Sequence, residues 1–202
     1  MTKLNAGLLG LLIGKVGNVV IVNRKKTTYV RSMPNYTNTK WTDKQLQVRK
    51  RFAIVSEFCQ QHKLQVIFPI WNLLPGNSSG YNLFLGTNIK AFDSEGKIMD
   101  MSLLKFSQGS LPGLYQVKVT KQQEAVEINW FNDVGASSVR LKDNLWYMAV
   151  VDSQVTGPYQ TGLTRGMQGG VFTLSNPATS AIYAFFGASD KNSYSPDRYL
   201  EF

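Results

Sequence analysis

The sequence predicts an α+β chain that is mostly β: a basic N-terminal hairpin and helix, then an antiparallel sandwich of immunoglobulin or fibronectin type. Three observations predict it. Beyond residue 112, short runs rich in β-branched and aromatic residues are punctuated by Gly, Pro, Asn and Asp, as in small sandwiches. Near residue 50 a stripe of apolar residues recurs at helical spacing. The formal charge of +9 is concentrated toward the N-terminus, where residues 1–65 hold twelve basic side chains against Asp43 and Glu57. That third nets +10 and the remainder −1. At 202 residues the chain can bury about 70% of the surface its unfolded form exposes. With 43% hydrophobic and 17% charged residues it is a globular sequence, neither disordered nor a coiled coil. A single cysteine excludes an internal disulfide, and a single histidine removes most metal and acid–base chemistry.

Residues 6–14, A-G-L-L-G-L-L-I-G, have the length of a signal-peptide apolar core, but Lys15-Val16-Gly17-Asn18 follows where a small-residue cleavage site would stand. The stretch is too short to span a bilayer, so no signal peptide and no transmembrane span are expected. Its glycines suggest an arm, residues 4–14, lying against a neighbour. Residues 16–24 read as a strand, Asn23 to Lys26 as a polar turn, and residues 27–32 as a second strand closed by Pro34. After a polar linker, Thr42 and Gln45 have capping-box spacing, and Val48, Phe52, Val55 and Cys59 form one helical stripe with Phe58 beside it. This helix is expected to reach about Lys63. Arg49, Lys50 and Arg51 fall mostly off the stripe, which gives the helix a basic face. Residues 74–80 are a loop and residues 81–92 a second helix. Strands are expected at 116–120, 126–131, 145–151, 170–174 and 181–187, dividing the chain into a basic α+β module at 1–112 and a sandwich at 113–202.

Motifs that could carry chemistry are few. Gly76-Asn-Ser78-Ser-Gly80 matches the G-x-S-x-G of serine hydrolases, but that elbow needs its histidine later in the chain and His62 precedes it, so a plain loop is expected. Cys59 and His62 share a helix face, yet zinc needs further ligands and a thiol on an apolar stripe is usually a buried hydrophobe. Asp93-Ser-Glu95-Gly-Lys97 lacks the spaced oxygen ligands of a calcium loop and reads as a turn. No nucleotide-binding glycine motif is present, so no cofactor, metal, catalytic residue or small-molecule substrate is expected. What remains is a basic cluster, Arg24, Lys25, Lys26 and Arg31 on the hairpin and Arg49, Lys50 and Arg51 on the helix, interleaved with Tyr29, Tyr36 and Trp41. Cations that neutralise phosphates beside rings that stack make a generic polyanion-binding surface; the competing reading is docking on an acidic neighbouring subunit.

Further residues carry a resemblance. Gly14-Lys-Val-Gly-Asn-Val-Val20, Tyr29-Val-Arg-Ser-Met-Pro34, and Gln45-Leu46 with Arg49 and Phe52 spaced Q-L-x-x-R-x-x-F resemble an uncharacterised Bacteroidota family of about this length. The likeness continues through Tyr81-Asn82, Ser107-x-Gly-x-Leu-Pro112, the h-x-h-x-W of Val126, Ile128 and Trp130, and an ending with Tyr183, Ser195 and Tyr199. Arg24-Lys25-Lys26 departs from it, standing where a Trp- and Gly-containing turn is expected. The family is a domain of unknown function. The resemblance therefore implies no activity and no catalytic residues, but it implies a basic segment followed by a fibronectin-like region. The opening is also similar to proteins of phage and mobile-element neighbourhoods.

Together these readings lead to a non-enzymatic structural or assembly protein, such as a phage virion or mobile-element particle component. Its basic N-terminal region contacts a polyanion or an acidic neighbour. The expected partners are copies of itself, other structural subunits, or nucleic acid; the expected location is the cytoplasm or a particle. The alternative is a nucleic-acid-binding protein that acts as a monomer or dimer.

Overall fold

The computed structural model of the chain describes residues 2–4, 13–24, 27–35, 40–132 and 139–202. They form two compact units, Met1–Thr42 and Asp43–Phe202, so the division expected near residue 112 falls at residue 42 instead.

The first unit is a four-stranded antiparallel sheet of Thr2–Leu4 (β1), Gly14–Val16 (β2), Val19–Arg24 (β3) and Thr27–Ser32 (β4), in the order β1-β4-β3-β2. The expected hairpin is its centre, with Arg24 opposite Thr27. The single strand expected at 16–24 is instead folded back on itself. Gly17, at φ 57°, lets the chain reverse so that Val16 stands opposite Val19. The expected arm at 4–14 is in part strand as well, because Thr2–Leu4 pairs with β4 and Gly14 belongs to β2; residues 5–12 lie outside the described residues.

The second unit begins with Asp43–Gln61 (α1), whose expected stripe is half covered. Val55 and Cys59 are buried, whereas Val48 is 67% exposed and Phe52 49%. A π-helical turn follows at Lys63–Ile67, where the Ile67 and Phe68 amides donate to carbonyls five residues back. Gly80–Asn88 (α2) starts on the Ser79 hydroxyl, which accepts the Asn82 amide at 3.3 Å. Seven strands come next: Tyr115–Gln122 (β5), Ala125–Phe131 (β6), Asn144–Val151 (β7), Gln154–Thr164 (β8), Gly169–Thr173 (β9), Ala181–Gly187 (β10) and Arg198–Glu201 (β11).

These strands make two antiparallel sheets, β5-β6-β9 and β8-β7-β10-β11. Lettered in chain order, that is A-B-E facing C′-C-F-G, the fibronectin type III arrangement. In an immunoglobulin constant domain the fourth strand would join A-B-E. Burial follows from the layers. β6 buries alternate residues, Val126, Ile128 and Trp130, because its other face is open. β10 is buried at all seven positions: Ile182, Ala184 and Phe186 face the core between the sheets, while Ala181, Tyr183 and Phe185 face a second core. That second core is capped by Val55 and Cys59 of α1, Phe84 of α2, Trp71 and Phe106. Residues 43–112 are therefore a third layer of the sandwich. Trp71 donates its indole N–H to the Phe106 carbonyl at 2.9 Å, and Tyr183 donates its hydroxyl to the Met101 carbonyl at 2.5 Å. Asp197 accepts the Phe106 and Ser107 amides at 2.5 and 3.0 Å, joining the helical layer to the segment before β11.

Candidate functional site

The expected basic cluster is split between the two units. Of the hairpin residues, Lys25 and Lys26 lie outside the described residues, and Arg24 is placed by its backbone alone, at the end of β3. Arg31 is exposed on β4. On the helix, Arg49 and Lys50 are exposed. Arg51 is half-buried and donates to the carbonyl of Ile89, tying α1 to the turn after α2. Its expected place on a binding face is thus taken by a packing role.

Strand register sorts the first sheet into two faces, because residues paired across an antiparallel ladder share a side and neighbours along a strand alternate. Lys15, Val20 and Arg31 form one cross-strand row on β2, β3 and β4. Val22 and Tyr29 form the next row of the same face. Lys15 and Arg31 are exposed, and Val20, Val22 and Tyr29 are half-buried. The opposite face carries Val16, Val19, Ile21, Thr28 and Val30. Of these, Ile21 and Thr28 are buried, at 6% and 8% exposure.

No aspartate or glutamate occurs in residues 1–42, against seven lysines and arginines, so nothing within this unit neutralises its cations. Composition pointed to Arg31 but not to Lys15 as its row partner. That pairing depends on the reversal at Gly17, and the alternation of residues 14–16 and 19–24 about it is the signal that could have shown it.

The other candidate motifs resolve into structural roles. Cys59 is fully buried, and burial pushes its thiol up to about 12, far from a reactive thiolate. His62 packs edge-on against Phe58 and Phe106, at 4.7 and 5.1 Å between ring centroids, and burial pushes it down to about 4. Ser78 lies in a loop that leads from the short turn Trp71–Leu73 into α2, with no strand before it as an elbow requires. Asp93 accepts the Glu95 and Lys97 amides, both at 2.8 Å, which closes a turn and holds its carboxyl below the usual range. Among the described residues no cluster of His, Cys, Asp and Glu could hold a metal ion, and no helix is long and apolar enough to cross a membrane.

The buried pair Asp143–Arg165 is 3.2 Å apart. The guanidinium also donates to the Pro112 carbonyl at 2.7 Å and lies 3.8 Å over the Phe186 ring. Burial raises the Asp143 carboxyl, and Arg165 pulls it back. Each group is engaged by the other, as in a structural pair.

No family model matches the chain, and no curated protein matches it. A computationally redesigned β-sandwich protein of known structure is similar to part of it. The likeness has 16% identity and a TM-score of 0.34, and covers 46% of this chain and 89% of that one. At that score it adds nothing to the strand order given above.

Proposed function

We propose that the chain is a non-enzymatic structural or assembly protein, of the kind found in a virion or mobile-element particle, whose N-terminal sheet contacts a polyanion or an acidic neighbour. The observation that carries this reading is the first unit: seven cations, no acid, and a sheet in which Ile21 and Thr28 are the buried side chains among the described residues. A sheet with so little covered surface is marginal in water and gains stability from whatever lies against it, by simple mass action. Within the sheet, Lys15 and Arg31 are the exposed cations assigned to the contact.

The test is the light-scattering mass of nuclease-treated protein at low and high salt. A discrete multiple of 22.6 kDa that survives high salt supports assembly. A monomer at both, with no binding to heparin or nucleic acid, overturns the proposal.

A further inference from the structure

Resting on that polyanion reading, we infer that the ligand of the N-terminal sheet is single-stranded nucleic acid, held across the face that carries Lys15, Val20, Val22, Tyr29 and Arg31. The charge of the unit accounts for attraction to any polyanion. The register accounts for more, because it places an aromatic ring on the same face as the cations. Tyr29 and Arg31 are two residues apart on β4, about 7 Å along the strand. Lys15 lies two strands across from Arg31, about 10 Å away. Tyr29 is half-buried, and the half-buried Val22 opposite it and Val20 in the next row add apolar surface to the same face.

Phosphates would sit on Lys15 and Arg31 while a base stacks on Tyr29, the combination by which sequence-tolerant single-strand binders work. A duplex keeps its bases stacked inside and offers Tyr29 nothing, and a sulfated polysaccharide or an acidic protein has no base to stack. The five residues named on this face include no Asn or Gln, the amides that pair with adenine edges, and stacking on a ring accepts any base.

The experiment is fluorescence anisotropy of the full, nuclease-treated chain with labelled oligo(dT) of about 20 nucleotides, which exceeds the footprint of typical single-strand folds. A duplex of equal length and heparin serve as comparison ligands. The oligo(dT) should bind more tightly than the duplex. Tyr29→Ala should weaken oligo(dT) about five- to hundredfold, Tyr29→Phe should restore it, and heparin affinity should change less than about twofold in either variant. The double variant Lys15→Ala/Arg31→Ala should lower the slope of log affinity against log salt by about 1.4, at roughly 0.7 per lost phosphate contact. If all three ligands bind alike and Tyr29→Ala changes none, the inference falls and the polyanion reading stands. If none binds, both fall. Retained heparin binding in Tyr29→Ala shows that the sheet is still folded.

Discussion

Two four-stranded antiparallel sheets lie in this chain, and they are built for opposite ends. In β8-β7-β10-β11 the inner strand β10 is buried at every position, with one core on each side. In β1-β4-β3-β2 just Ile21 and Thr28 are buried among the described residues. Both are ladders of backbone hydrogen bonds, shifted in register between β7 and β8, and because the net worth per bond is modest in either, hydrogen bonding does little to separate them. Side-chain burial does. The first sheet spends its residues on a face of cations and one ring, and the second on two cores. A sheet covered on both sides is a scaffold, whereas the first sheet leaves most of its described side chains half-buried or exposed.

Substitutions can break this contrast. The largest effect is expected from Phe186→Ala, which empties part of the inter-sheet core beside Trp130 and uncovers Arg165; it should cost about 4 kcal/mol in urea denaturation. Tyr29→Ala on the open sheet should leave the same transition within about 0.5 kcal/mol. Next comes Asp143→Ala, which strands the Arg165 guanidinium in the interior at a cost of about 3 kcal/mol. The double variant Asp143→Leu/Arg165→Met should be more stable than that single one, and a less stable double variant would contradict the pairing.

The pH dependence is the third effect. The folded value of His62, about 4, lies below its ordinary 6.5, so the unfolded chain binds the proton more readily. Its contribution is fully present above pH 6.5 and is lost as the pH falls toward 4, amounting to about 2 kcal/mol by pH 5. Denaturation midpoints from pH 7 to 4.5 should show that loss, and His62→Leu should flatten it. The smallest contrast lies on α1. Arg51→Met removes the bond to the Ile89 carbonyl and should cost about 1 kcal/mol, while exposed Lys50→Glu should cost less than about 0.5 kcal/mol and lower heparin affinity.

Much of the fold was legible from residue patterns. Strands β3 and β4, helix α1 and the strands β5, β6, β7, β9 and β10 follow from β-branched runs and helical spacing, because each carries its own local periodicity. Strand β8 escaped notice because Gly157, Pro158 and Gly162 give it a loop's composition. It is an edge strand with shifted register near Gly157 and Pro158, where a missing amide is tolerated. The third layer also escaped, although residues 144–151 and 181–187 carry its mark: a strand apolar without alternation needs cover on both faces. At the candidate site, charge and the interleaved rings pointed to Arg31 and Tyr29, and register was needed to add Lys15 and to place all three on one face. Arg51 was misplaced because a cation is normally outward on a helix. Here its long stem reaches a carbonyl of the neighbouring turn.

The four tryptophans give this architecture an optical consequence. Trp71 lies in the helical-layer core at 1% exposure and Trp130 in the inter-sheet core at 4%, each with its indole N–H on a backbone carbonyl. Trp146 lies on the shared strand β7 with the Lys191 ammonium 5.6 Å from its ring centroid, and Trp41, in the first unit, is 45% exposed. Intrinsic emission is therefore a layered gauge. Loss of the body carries Trp71 and Trp130 from a dry environment into water and shifts their light to the red, while Trp41 is wet from the start and contributes a nearly constant background.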